Sequence, residues 1–197
     1  MDLTSGEIVL VIGGARSGKS SLAEKLAAVP GKDVIYVATA GVHDDEMAER
    51  VKQHRLRRPD GWRTVEETHM LAGVLLSLHP GAVVLIDCLT LWMSNLLLDD
   101  HIPRPGAGIS EKENYIIAQA REIVDVARDK QLTLVMVSNE VGCGLVPEHE
   151  LGRVYRDIAG RVNQLLAELS DRVFYVVAGM PLELKSLAAG SLQGGGR

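Results

Sequence analysis

With 197 residues the chain is sized for one domain, and at 46% hydrophobic but only 4% aromatic its core has to be built from Val, Leu, Ile and Ala. The net charge of −5, from 21 basic and 26 acidic residues, leaves no global electrostatic footprint for nucleic acid or an anionic membrane. No apolar run is long enough to span a bilayer, no secretory leader opens the chain, and Cys88 and Cys143 lack metal-type spacing, so a soluble protein of the reducing cytoplasm, without stable membrane insertion, is expected.

Residues Met1–Glu7 read as a loose lead-in and Ile8–Ile12 as a strand buried on both faces of a parallel sheet. Gly13, Gly14, Ala15, Arg16, Ser17, Gly18, Lys19 and Ser20 then match the phosphate-loop pattern G-x-x-x-x-G-K-[ST]. Glycines let such a backbone curl until its N–H groups face phosphate oxygens, and the following helix adds the positive end of its dipole. Lys19 can reach the β- and γ-phosphates, and the Ser20 hydroxyl can hold Mg²⁺. The helix is predicted over Ser20–Ala28, with Leu22, Ala23 and Leu26 on one face and Pro30-Gly31 as its stop.

Val34–Ala38 is the next buried strand, and Thr39-Ala40-Gly41 its exit loop at the carboxyl end, where ligands bind in open α/β sheets. Asp44–Arg57 reads as a helix with a thin apolar stripe (Met47, Val51, Leu56), ending in His54-Arg55-Leu56-Arg57-Arg58 before the Pro59-Asp60-Gly61 break. A short strand over Trp62–Glu66 and a helix over Thr68–Leu78 follow, with His79-Pro80-Gly81 as stop. Ala82–Cys88 is a strand of apolar residues ending in Asp87, the Walker-B pattern, which puts that acid near Mg²⁺ or its water shell.

Leu89–Leu98 continues as a helix, and Asp99–Gly108 is a breaker-rich loop. A long helix runs to Lys130, opened by a capping box between Ser110 and Glu113. Leu132–Ser138 is a strand, Asn139–Pro147 a glycine-bearing loop, and Glu150–Ser170 a helix with Leu151, Val154, Ile158, Val162, Leu165, Leu166 and Leu169 inward. Its other face carries Arg153, Arg156, Asp157, Arg161 and Asn163. Arg172–Ala178 is a final core strand; Gly179-Met180-Pro181 turns into an edge strand at Leu182–Lys185. Residues 1–7 and 187–197 are expected to be flexible. Strands alternate with helices and no linker divides the chain, so residues 1–197 are expected to form a single P-loop domain: an α/β, RecA-like P-loop NTPase fold with a mostly parallel sheet and helices on both faces.

Beyond the phosphate loop, three features carry chemistry. His54 among arginines is either a nucleophile forming a covalent phosphoramidate, with Arg55, Arg57 and Arg58 on the phosphates, or part of a basic, solvated helix end. Glu66 and Asp87 each end a strand; one could coordinate Mg²⁺ and one bind a ribose or base edge, or Glu66 could be an exposed acid beside Glu67. The Asn139–Pro147 loop with Arg153, Arg156, Asp157 and Arg161 could shape a second-substrate pocket, form ion pairs or meet another subunit. His43, His69, His79, His101 and His149 receive no role.

Four stretches together resemble one family, the bifunctional cobinamide kinase / cobinamide-phosphate guanylyltransferases of cobalamin biosynthesis. They are GGARSGKS, then DDEMAERVKQHRLRRPDGWRTVEE, then LIDCLTLWMSNLL, and finally Ser138 to Lys185 from SNEVGCGLVPEHELGRVYRD to VVAGMPLELK. The resemblance implies transfer of a γ-phosphoryl from ATP or GTP to the aminopropanol hydroxyl of (adenosyl)cobinamide, then of GMP from GTP to the new phosphate through a guanylylated histidine. The matching position is His54, and Lys19 joins it as catalytic. Nucleotide contacts are implied at Gly13–Ser20, Ala38, Thr39, Ala40, Arg55, Leu56, Arg57, Arg58, Glu66 and Asp87, with Ser20 and Asp87 on Mg²⁺. The implied assembly is a homotrimer. One loop serving both the γ- and α-phosphorus requires either two nucleotide registers or movement of the His54 helix about the Pro59–Gly61 break. The rival readings are a monofunctional P-loop kinase for a small metabolite, which has no use for His54, and a non-catalytic nucleotide-dependent binding protein.

Overall fold

The structure, a computed structural model, describes residues 3–41 and 61–188. Its β-branched and leucine-rich runs form one seven-stranded sheet: β1 (Ile8–Gly13), β2 (Val34–Ala38), β3 (Arg63–Glu66), β4 (Val83–Asp87), β5 (Thr133–Asn139), β6 (Arg172–Val177) and β7 (Met180–Glu183), in the order β3-β2-β4-β5-β1-β6-β7. All pairs are parallel except β6 with the edge strand β7. β5 is thus inserted between β1, which leads into the phosphate loop, and β4, which ends in Asp87. The mostly parallel sheet is the one expected from the alternation of strands and helices.

Each β1 side chain is buried, because both faces of the sheet are covered. On one face α1 (Lys19–Ala27) lays Ala23, Leu26 and Ala27 on Val9, Val11, Val135 and Val137. The opposite face is covered by α2 (Leu71–Ser77), α3 (Leu89–Leu98), α4 (Ile109–Asp129) and α5 (Glu150–Leu169), with Trp92 and Met93 fully buried among Ile86, Met136 and Ile116. Lys112 is buried yet satisfied: its Nζ donates to the Leu97 and Asp99 carbonyls at 2.8 and 2.9 Å, closing the carboxyl end of α3. A final single turn, α6 (Leu184–Leu187), is capped by the Glu183 carboxylate, which accepts from the Lys185 and Ser186 amides.

Several boundaries differ from expectation for local reasons. α2 begins at Leu71 rather than Thr68, because the Glu67 carboxylate accepts the His69 and Met70 amides and holds those residues in a turn. The cap of α4 is Gly108, not Ser110: Glu111 Oε2 accepts the Gly108 amide, and Ser110 is already inside the helix. Asn163 is 6% exposed and faces inward, while Leu151, expected inward, is 45% exposed. The turn before β7 is made by Ala178 and Gly179, both at positive φ, so Met180 and Pro181 already belong to the edge strand, and Lys185 to the helical turn. The lead-in holds a turn over residues 4–7: Glu7 accepts the Thr4 amide and hydroxyl at 2.7 and 3.0 Å and meets Arg172. The expected helix Asp44–Arg57 and the glycine-rich tail lie outside the described residues.

Candidate active site

The parallel strands end together, and the sequence-predicted loops gather along that carboxyl edge. Ala38 of β2 is in register with Glu66 of β3 on one side and Asp87 of β4 on the other, so the two acids flank it at one level and on one face. That face is the one α1 covers. Further along the edge, Gly13 of β1 is in register with Asn139 of β5 and Val176 of β6.

Gly13 has no room for a side chain: a Cβ there would lie 2.5 Å from the Val176 carbonyl oxygen and 2.8 Å from Ser17 Oγ. Gly18 has φ 97° and packs within 3.2 Å (as a notional Cβ) of Gly179 Cα. Gly179 also donates its amide to the Ser17 carbonyl at 2.8 Å, so the β6–β7 turn braces the loop from outside, while Glu140 N–H closes it onto Gly13 O at 3.0 Å. Arg16 adopts φ 55° within this curl. No side chain caps α1, and Ser17 Oγ is buried with no partner among the described residues. The loop therefore leaves helix amides and a hydroxyl for an outside acceptor, which is what an anion site requires.

Lys19 is buried at 8% exposure, and its Nζ donates to the Gly14 carbonyl at 2.9 Å. Burial pushes its pKa down, and the neighbouring Cys88 and Asp87 push back. Asp87 and Lys19 thus share one electrostatic environment across β5. The Asp87 carboxylate accepts the Tyr36 hydroxyl at 3.0 Å, which fixes its orientation. Glu66 is exposed.

Thr39 follows β2 at this edge. Its side chain is fully buried: Oγ1 donates to the Cys88 carbonyl at 2.7 Å and accepts the Cys88 amide at 2.8 Å. The Thr39 carbonyl accepts Asn95 Nδ2 at 3.0 Å. Thr39 therefore clasps the exits of β2 and β4 together, and its amide adds a bond to the Asp87 carbonyl at 3.3 Å. Beyond it Cys88 Sγ lies 3.0 Å from Thr90 Oγ1, which accepts Asn139 Nδ2 at 2.8 Å, and Tyr155 donates to the Thr90 carbonyl at 2.9 Å. Burial, then Asp87, pushes the Cys88 thiol up, in keeping with an inert thiol. Burial likewise raises the Tyr155 phenol well above its ordinary value.

The edge thus unites Gly13–Ser20, Ala38–Ala40, Glu66 and Asp87. His54, Arg55, Leu56, Arg57 and Arg58 lie outside the described residues. The brace from Gly179, the Thr39 clasp and the Tyr36–Asp87 bond were missed from the sequence. Tyr36 could have been found, since period two puts it on the same strand face as Ala38. Among the described residues, no three His, Cys, Asp or Glu side chains group to hold a metal ion, and no helix is long and apolar enough to cross a membrane.

Residues 9–184 match the family model for cobinamide kinase / cobinamide phosphate guanyltransferase. The chain belongs to this family. Curated relatives agree. The bifunctional adenosylcobalamin biosynthesis protein CobP of Pseudomonas aeruginosa is 45% identical over 177 residues, covering 89% of this chain and 96% of the relative. The CobU proteins of Escherichia coli and Salmonella typhimurium are 42% and 39% identical over 182 residues, covering 90% of this chain and 99% of each relative. A solved structure from Pyrococcus horikoshii OT3 superposes with a TM-score of 0.52 at 10% identity, over 92% of this chain and 87% of its own, a likeness of fold alone.

Proposed function

We propose that this chain catalyses two successive transfers in cobalamin biosynthesis. The first moves the γ-phosphoryl of ATP or GTP to the aminopropanol hydroxyl of (adenosyl)cobinamide; the second moves GMP from GTP to that phosphate, giving adenosylcobinamide-GDP and pyrophosphate. The observation that carries the reading is the phosphate loop of a chain in this family: an uncapped α1 with Lys19 buried at its start and Asp87 sharing its field.

The loop amides and the α1 dipole hold the phosphate oxygens, and Lys19 exchanges the Gly14 carbonyl for a β- or γ-oxygen. Ser20 and Asp87 supply a hydroxyl and a carboxylate, a hard oxygen set that suits Mg²⁺ completed by phosphate and water. When bound, that ion supplies charge neutralisation at the transferring phosphates. The exit of β2 at Ala38, Thr39 and Ala40, with Glu66, takes the nucleoside end. In the second transfer the neutral imidazole of His54 attacks the α-phosphorus, and pyrophosphate leaves with the electrons of the broken P–O bond. An oxygen of the acceptor phosphate then attacks the same phosphorus, and the P–N bond pair returns to the ring. Arg55, Arg57 and Arg58 neutralise the oxygens on that phosphorus.

Incubation with α-labelled GTP and Mg²⁺ tests the reading. A covalent label on the wild type that is lost in His54→Ala is expected; a wild type that takes no label overturns the guanylyl transfer. A cytoplasmic homotrimer completes the proposal, supported by the exposed apolar side chains Leu145 and Val146 on the loop after β5. A monomeric mass by light scattering would overturn the trimer.

A further inference from the structure

Five arginines around the sheet find partners. Arg104 pairs with Glu111, Arg128 with Asp171 and Arg172 with Glu7. On α5, Arg153 donates to the Pro147 and Glu148 carbonyls and Arg161 pairs with Glu113. Arg156 stands between these last two and differs: its side chain is half-buried, and Nη1 is shut off from solvent with no hydrogen-bond partner among the described residues. A guanidinium is charged at any cellular pH and brings five N–H donors. A shielded donor without an acceptor destabilises the fold unless a ligand completes it.

The position of Arg156 follows from the hydrogen bonds around it. Asn163 Nδ2 donates to the carbonyl of Asn139, the last residue of β5, at 3.2 Å. The next residue, Glu140, donates its amide to Gly13 O at the root of the phosphate loop. Arg156 lies seven residues before Asn163, two helical turns or about 10 Å towards the start of α5 and on the same helix face. It therefore stands beyond the end of β5, on the side where the phosphate loop leaves β1. Tyr155, its neighbour, is tied to the Thr90 carbonyl, which holds this turn of α5 against the residues that follow Asp87. α5 packs on the face of the sheet opposite α1. Arg156 thus reaches the carboxyl edge from the side away from Lys19 and the helix amides that serve the nucleotide.

We propose that Arg156 receives the phosphate monoester of the acceptor in the guanylyl transfer. The inference rests on the two-transfer reading above. That step brings a dianionic phosphate towards a nucleotide phosphorus already ringed by anionic oxygens, and a planar guanidinium opposite the nucleotide cradle can grip two of its oxygens at once.

The test compares wild type, Arg156→Gln and Arg156→Lys in two assays: self-guanylylation with α-labelled GTP alone, and discharge of the labelled enzyme onto cobinamide phosphate. Arg156→Gln is expected to raise the KM for cobinamide phosphate about 10- to 100-fold, the loss of a charge-assisted hydrogen bond, while keeping the rate of self-guanylylation and a Tm no lower than that of the wild type. Arg156→Lys should recover part of that KM. An unchanged KM overturns the proposal. So does equal loss of self-guanylylation, which would place Arg156 on the nucleotide, and so does a failure of Lys to rescue combined with a lowered Tm, which would make the residue structural. A wild type that takes no label from GTP instead removes the underlying reading, a result distinct from any of these.

Discussion

Replacing Gly13 by alanine should damage the phosphate loop from within. The added Cβ would sit 2.5 Å from the Val176 carbonyl oxygen and 2.8 Å from Ser17 Oγ. The first contact is roughly 0.9 Å short of ordinary van der Waals distance. The obstacle is backbone of a strand paired on both sides, so it cannot rotate aside; either the end of β6 or the loop must shift by nearly that amount. Overpacking of this kind costs about 1–3 kcal/mol. At about 2–4 °C per kcal/mol for a chain of this length, the Tm should fall by about 2–12 °C. A loop displaced by about 1 Å should lower the rate of phosphoryl transfer on the order of 100-fold. Scanning calorimetry and a kinase assay with cobinamide and ATP measure both. Gly14→Ala is the control: a Cβ there meets nothing within 4 Å, so its Tm should match wild type. A Gly13→Ala protein with wild-type Tm and rate would refute the steric reasoning.

Lys19→Ala should depress both transfers, whereas His54→Ala should abolish guanylyl transfer and spare phosphorylation; equal loss of both in the His54 variant, assayed separately, would make that residue structural. Thr39→Val removes the hydroxyl that serves both the amide and the carbonyl of Cys88. The Cys88 carbonyl keeps the Trp92 amide, but the Cys88 amide loses its partner, which should cost about 1–3 kcal/mol, seen as a lowered denaturation midpoint that Thr39→Ser restores. Asp171 is held below its ordinary 3.8: burial works against this, and the Arg128 guanidinium and the Ile8 amide outweigh it. A carboxylate with a depressed folded pKa contributes stability above its unfolded pKa and loses it as pH falls through the folded value. Asp171→Asn should therefore destabilise the protein at pH 7 and flatten its loss of stability below about pH 4, followed by thermal melts across that range; an unaltered pH profile would contradict the assignment.

The sheet was legible because its strands are continuous apolar runs bounded by breakers: Val34–Ala38 occupies the bounds read from the sequence, as does the helix Leu89–Leu98. The phosphate loop and the acid-ending strand were legible because both are local patterns with a mechanical reason. What escaped was set by contacts between residues distant in the chain. Nothing local to Gly179 announces that its amide will brace Ser17, more than 150 positions away. Thr39 lay in a recognised ligand loop, but its hydroxyl is committed to Cys88 on another strand. Asn163 sits among arginines on a helix whose polar residues suggested solvent, yet a carbonyl at the end of β5 draws it inward. Side-chain capping moved the starts of α2 and α4 for a related reason: Glu67 and Glu111 each accept nearby amides, which hydrophobic periodicity does not record.

The central claim, one nucleotide cradle serving two transfers, is tested most directly by product analysis of the wild-type protein given cobinamide, ATP, GTP and Mg²⁺. The account predicts cobinamide phosphate as a transient, cobinamide-GDP as the end product and pyrophosphate in equal amount. Accumulation of cobinamide phosphate with no GDP adduct, or nucleotide binding with no turnover of cobinamide, would contradict it.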